Sequence, residues 1–139
     1  MNTDLLKNIP APKPVQGLAI IRTAIALILI VHPIHGIIDP AGMRSFGEGL
    51  SADGFPFGLA LPWLIVACQF AGCLGLIFNR FVVLSCMFNL IVLMVGVFYI
   101  HMSEGWFVVG AGRNGMEYSI TLIACLSGIM WAYWPRKQQ

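Results

Sequence analysis

The stretch Phe81-Val-Val-Leu-Ser-Cys-Met-Phe-Asn-Leu-Ile-Val-Leu-Met-Val-Gly-Val-Phe-Tyr-Ile100 decides the fold class, because no Asp, Glu, Lys or Arg interrupts the chain between Arg80 and Glu104. About 20 apolar residues in a helix match the hydrocarbon thickness of a bilayer. Lipid offers no hydrogen bonds, so the backbone must satisfy itself within the segment, which selects a helix. Outward from this stretch, three more of the same kind can be read. The set is Val15–Ile38, Phe57–Asn79, Arg80–Met102 and Gly115–Trp134. The sequence therefore predicts an all-α integral membrane protein, an antiparallel bundle of four transmembrane helices.

Composition agrees. The chain is 58% hydrophobic and 10% charged over 139 residues, whereas a soluble domain carries roughly 25% charged residues. A chain this short cannot hide so much apolar surface in its own core. Three parts follow: a polar segment 1–14, a single membrane domain 15–134 and a tail 135–139. The first apolar stretch is too long for the core of a signal peptide and its lead is not strongly basic, so it reads as an uncleaved anchor.

Cations set the orientation. Lys7, Lys13, Arg80, Arg136 and Lys137 fall on one side and only Arg44 and Arg113 on the other. Both termini and the Asn79-Arg80 turn are expected in the cytoplasm, with the protein multi-pass in the membrane. Asp39–Pro56 and Ser103–Asn114 are expected as outer loops. Trp131, Tyr133 and Trp134 suit the inner interface, Trp63 and Trp106 the outer one. A net charge of +2 without a basic run argues against nucleic acid as a partner. Cys68, Cys73, Cys86 and Cys125 form no C-x-x-C pair and read as packing residues, with Cys73 and Cys86 at similar depth beside the Asn79-Arg80 turn.

Small residues four apart, Ala67, Ala71 and Gly75, then Ala124, Gly128 and Ala132, suggest close helix packing. Glu117 and Thr121 share the face of the second set, so the carboxylate is expected to point into the bundle. Pro33 removes a backbone donor and predicts a bend near His32. Arg22, about 9 Å from the cytoplasmic end of its span, is expected to snorkel to nearby headgroups.

His32, His35, His101 and Glu117 all fall toward the outer end, with Gln69 and Asn89 nearer mid-membrane. Each has a structural explanation. Asn114-Gly-Met-Glu117 fits a capping box, histidines at span ends are common interfacial groups, and Gln69 and Asn89 suit helix–helix hydrogen bonds. Together, three imidazoles and a carboxylate are a candidate proton-exchange set. The same four residues are the candidate donors if a metal is bound, but Pro33 distorts the His32-x-x-His35 spacing and no metal is favoured. Gly110-Ala-Gly112-Arg-Asn-Gly115 fits G-x-G-x-x-G only formally, since no βαβ unit surrounds it.

The order of Ile21-Arg22, His35-Gly36, Gly54-Phe55-Pro56, Gln69-Phe-Ala-Gly72-Cys-Leu-Gly75 and Gly105-Trp106-Phe107 followed by Gly115-Met-Glu117-Tyr118 resembles the DoxX family of small bacterial membrane proteins over Gly17–Trp134. The resemblance implies a four-helix membrane bundle related to the small subunit of thiosulfate:quinone oxidoreductase. Arg22 and Glu117 match recurrent polar positions of that family, whereas Gln69 stands where glutamate is common.

These readings lead to a membrane subunit of a redox system, binding a quinone-type or other lipophilic ligand near the outer end. Glu117 and a histidine would exchange protons. Arg22, Gln69, Asn89, Tyr118 and Trp106 would bind or orient the ligand. No flavin, haem or iron–sulfur motif is present in the sequence, so no intrinsic cofactor is expected and electrons would come from a protein partner in a redox complex. The alternatives are a non-catalytic scaffold or assembly factor, with homo-oligomerisation compatible, and a small metal- or proton-handling membrane protein.

Overall fold

The computed structural model describes residues 13–110 and 113–135. Over these residues the chain is all helical, with five α-helices and no strand. They are α1 (Pro14–Ile38), α2 (Pro40–Ala52), α3 (Leu61–Ile77), α4 (Val82–Gly96) and α5 (Glu117–Tyr133). A π-helical turn, Val97–His101, extends α4. Most of segment 1–14 and most of tail 135–139 lie outside the described residues, as do Lys7, Arg136 and Lys137.

Each apolar stretch contains one helix. Two are long and apolar enough to cross a membrane: α1, and α4 together with its π turn. Helix α3 is apolar but spans 17 residues. Only 28% of the apolar window in each of the two long helices is buried. The core helix of a water-soluble protein would be mostly covered. Here Leu27, Ile28 and Val31 of α1, and Met87, Ile91 and Phe98 of the α4 unit, lie on the outside. Large apolar side chains left bare in this way are characteristic of surfaces that meet lipid or another protein.

Asp39–Pro56 is not the loop that its polar composition suggests. Asp39 Oδ1 accepts the Gly42 N–H at 3.0 Å, and Pro40 takes the first helical position, where its missing donor costs nothing. The capped segment winds into α2, which buries Gly47 and Leu50 and exposes the Arg44–Glu48 ion pair. Helix α1 also runs unbroken through the buried Pro33.

The core joins Ile25, Ala26 and Leu29 of α1 with Cys73 and Leu76 of α3, Cys86 and Leu90 of α4, and Leu122, Leu126 and Ile129 of α5. Glycines mark the closest approaches. A Cβ on Gly36 would sit 2.9 Å from Val66 Cγ2, and one on Gly75 would sit 2.9 Å from the Arg80 carbonyl. The α3–α4 turn is tight because Arg80 N–H donates back to Gly75 O at 2.8 Å, with Asn79 left-handed at φ 55.

Gly75 packs closely as expected, but the other five small residues of the two stripes take the opposite face. Ala67 and Ala71 are exposed on α3, and Thr121, Ala124, Gly128 and Ala132 are exposed on α5. Helix α5 buries Ser119, Leu122, Leu126 and Ile129 instead. On α5 bulky residues fill the core side, while Ala124, Gly128 and Ala132 look outward. Glu117 is accordingly half-buried at the edge of the molecule rather than aimed into the bundle.

Candidate functional site

The start of α5 is held by the preceding loop and not by a side-chain cap. Gly115 N–H donates to Phe107 O at 3.2 Å, Met116 N–H to Gly105 O at 3.0 Å and Glu117 N–H to Trp106 O at 3.0 Å. These three bonds join Gly105-Trp106-Phe107 to Gly115-Met116-Glu117 and satisfy donors that a helix start leaves unpaired. Gly115 has to be glycine, because a Cβ there would fall 2.6 Å from the Trp106 carbonyl carbon.

The capping box on Asn114 does not form. The N-cap is Met116, which makes no side-chain bond, and Asn114 is left-handed at φ 59. The Glu117 carboxylate reaches across the loop instead, where its Oε1 accepts the Val108 N–H at 3.1 Å. Its Cα remains in the first turn of α5, where the helix dipole favours negative charge.

Beside it lies a groove of about 510 Å³ lined by Trp106, Val108, Val109, Glu117, Tyr118, Ile120 and Thr121. Its walls are aromatic or aliphatic apart from the carboxylate, the phenol and one hydroxyl. Pockets for small organic ligands share that character: apolar walls with a few placed polar groups.

Of the nine candidate residues, the structure brings Trp106, Glu117 and Tyr118 into this lining. The histidines gather nearby without lining it. His101 Nδ1 donates to the Asn114 carbonyl across 2.7 Å, since a carbonyl oxygen can only accept. His32 and His35 are exposed on α1, with His32 within electrostatic reach of His35 and His101. Among the described residues no three His, Cys, Asp or Glu side chains are placed to hold a metal ion. His32, His35, His101 and Glu117 therefore do not form the donor set considered from their spacing.

The mid-membrane candidates sit elsewhere. Asn89 is fully buried; its Nδ2 donates to Ser85 O at 2.9 Å, and its Oδ1 receives the Cys73 thiol at 3.7 Å. Gln69 is buried with its Oε1 unpaired among the described residues. Arg22 does not snorkel: it is 6% exposed, and its Nε and Nη1 have no partner among the described residues. None of these three borders the groove. The formal G-x-G-x-x-G stretch includes positions 111–112, which lie outside the described residues.

Two further contacts were not foreseen. The Tyr99 hydroxyl donates to the Asp53 carboxylate, and the Phe55 ring meets Tyr99 edge-on with centroids 5.2 Å apart. Tyr99 and His101 both stand on the π turn, a feature that often re-aims side chains at functional sites. It pins the α2–α3 connection on one side and the Asn114 loop on the other. Asp and Tyr are separated by 46 residues, so no local pattern could pair them. Comparison with protein-family models, characterised proteins and solved structures finds no match for this chain.

Proposed function

We propose that the chain is a DoxX-like multi-pass protein of the bacterial inner membrane, an antiparallel four-helix bundle with both termini cytoplasmic. In this reading it is the membrane subunit of a redox system and holds a quinone-type or similar lipophilic ligand in the Glu117 groove. The observation that carries the reading is a half-buried carboxylate opening onto a groove of aromatic and aliphatic walls at the end of an apolar bundle. Lipophilic rings gain from such walls, with Trp106 and Tyr118 available for stacking. Reducing a quinone takes two electrons and two protons. A partner protein supplies the electrons, and Glu117 passes protons between the ligand and solvent at the histidine end. The exposed apolar faces of α1 and α4 support lipid as the surrounding medium.

The test uses the full chain purified in mild detergent, titrated with decylubiquinone while tryptophan emission is followed. Saturable quenching is expected, removed in Trp106→Phe and weakened severalfold in Glu117→Gln. Absence of saturable quenching, together with no quinone in lipid extracts of the purified protein, refutes the reading.

A scaffold role is the second reading. It is favoured by the outward placement of Ala124, Gly128 and Ala132, since small outward residues let a neighbouring membrane helix approach. Co-purification of a stoichiometric partner that is lost in Gly128→Leu supports it, and retention of that partner counts against it.

A further inference from the structure

The charges of this molecule are divided between its two ends. The chain has six acidic residues, of which Asp39, Glu48, Asp53, Glu104 and Glu117 are described. Asp39 caps α2, Glu48 lies on it and Asp53 follows it. Glu104 and Glu117 lie in and beside the loop after the π turn. All five belong to the histidine end. At the other end stand Lys13 at the start of α1, Arg22 in its third turn and Arg80 in the α3–α4 turn. No described carboxylate accompanies them.

Arg22 is the one charged side chain buried among the described residues. Its neighbours on α1 are Ile25 and Ala26, both in the core, and Cys86 of α4 lies within its electrostatic reach. An ionised group taken from water into such surroundings is costly unless paired and hydrogen-bonded. Two of its nitrogens, Nε and Nη1, are buried donors without an acceptor among the described residues. Nε belongs to the planar side-on fork with Nη2 that matches two oxygens of a phosphate, whereas Nη1 points away from Nε and needs an acceptor of its own. Arg22 lies about 12 Å along the helix from Pro14 at 1.5 Å per residue, and helical side chains lean toward the N-terminus. The guanidinium is thus directed toward the end where Lys13 and Arg80 are exposed.

We propose that Arg22 is the buried anchor of a binding site for the phosphate of an anionic phospholipid, with Lys13 and Arg80 at its entrance. The proposal rests on the membrane reading above but not on the quinone reading, since the two sites lie at opposite ends. A basic pocket between membrane helices on the cytoplasmic side is the usual setting for anionic headgroups. The lipid supplies the oxyanion that the described residues lack, and its chains cover the apolar flank of α1.

The full chain, purified in mild detergent, is mixed with phosphatidylglycerol, phosphatidylcholine or inorganic phosphate. Native mass spectrometry counts retained lipids and a thermal melt follows each mixture. Wild type is expected to retain a phosphatidylglycerol and to melt higher with it than with phosphatidylcholine, while inorganic phosphate at millimolar concentration neither stabilises nor displaces it. Arg22→Gln is expected to lose retention at least tenfold, and Arg22→Lys to fall between. If Arg22→Gln does not fold, the wild-type comparison and Arg22→Lys still decide. Equal behaviour toward the two lipids in wild type overturns the proposal, as does undiminished retention in Arg22→Lys and Arg22→Gln. Stabilisation by inorganic phosphate alone identifies a free-anion site and overturns the lipid assignment. The sixth acidic residue is Asp4, outside the described residues; loss of stability in Asp4→Asn without lipid discrimination assigns the counter-charge to the chain itself and overturns the proposal too. Resistance of the cell-bound protein to alkaline carbonate extraction, measured separately, tests the membrane reading on its own.

Discussion

Replacing Gly115 with alanine adds one methyl group to the most constrained point of the candidate site. The new Cβ would sit 2.6 Å from the carbonyl carbons of Trp106 and Phe107, which are backbone atoms without a rotamer to yield. Ordinary carbon contacts are about 3.5–4.0 Å, so the 105–107 strand of the loop has to retreat by about 1 Å. That motion strains or breaks the three bonds from Gly115, Met116 and Glu117 to Phe107, Gly105 and Trp106. At about 0.5–1.5 kcal/mol net per bond, the loss is about 1.5–4.5 kcal/mol. Alanine's smaller unfolded-state entropy offsets about 0.4–1 kcal/mol of it. The net destabilisation of about 1–4 kcal/mol is local, because the core residues Leu122, Leu126 and Ile129 lie farther along α5. Amide exchange at Val108, Met116 and Glu117 is therefore expected to quicken by about 5- to several-hundred-fold, at 1.4 kcal/mol per tenfold. Exchange in α3 should stay near wild type. Gly49→Ala, where a Cβ meets nothing within 4 Å, serves as the control. Wild-type exchange at these three amides in Gly115→Ala would refute the close approach and the loop–helix pairing built on it.

Three further outcomes follow from named contacts. Asn89→Ala leaves the Cys73 thiol and the Ser85 carbonyl without their buried partner and opens a void, lowering stability by about 1–3 kcal/mol, read as a lower melting temperature in detergent. Asp39→Ala removes the acceptor of the Gly42 N–H and should cost α2 about 1 kcal/mol, visible as faster exchange over residues 40–52 with the core unchanged. Gly128→Ala is expected to leave the isolated chain unchanged or to stabilise it by up to about 1 kcal/mol, since a Cβ there meets nothing within 4 Å; marked destabilisation of the purified monomer would refute the outward placement of that face.

The helices were legible because runs such as Phe81–Ile100 leave the backbone no alternative in an apolar medium. Helix α2 was hidden by its own composition: three glycines and a polar face weaken every periodic signal, although Asp39-Pro40 is a recognisable start. The faces of α3 and α5 were misread for a different reason. Small residues permit close approach but do not say to what, and close approaches occur at Gly36, Gly47, Gly58, Gly72, Gly75 and Gly115, of which the two stripes contained Gly75. Ala124 and Gly128 are exposed among the described residues. Glu117 stood out as an isolated acid at a span end, yet its partner could not be read. The Val108 amide is reached through a loop closure that no helical wheel represents. Arg22 shows the limit of a positional rule, since distance from the helix end suggested snorkelling and burial beside Ile25 and Ala26 overrode it.

The interior polar residues restrict what Glu117 can do. Gln69, Cys73 and Asn89 occupy the buried side of α3 and α4 between the two ends. The thiol donates to the Asn89 carbonyl, the Asn89 amide donates to Ser85 O, and Gln69 Oε1 has no described donor. An amide at position 69 neither gives nor takes a proton at neutral pH. Asn89 has the same limitation, and an apolar setting keeps a thiol protonated. The buried column therefore offers hydrogen bonds but no chain of titrating groups toward the Arg80 end. A proton handled by Glu117 has to enter and leave through the histidine end, where the carboxylate itself is half-exposed. The proposed quinone and lipid sites thus fall at separate ends, with the histidines and Glu117 at one and the buried Arg22 nearer the other.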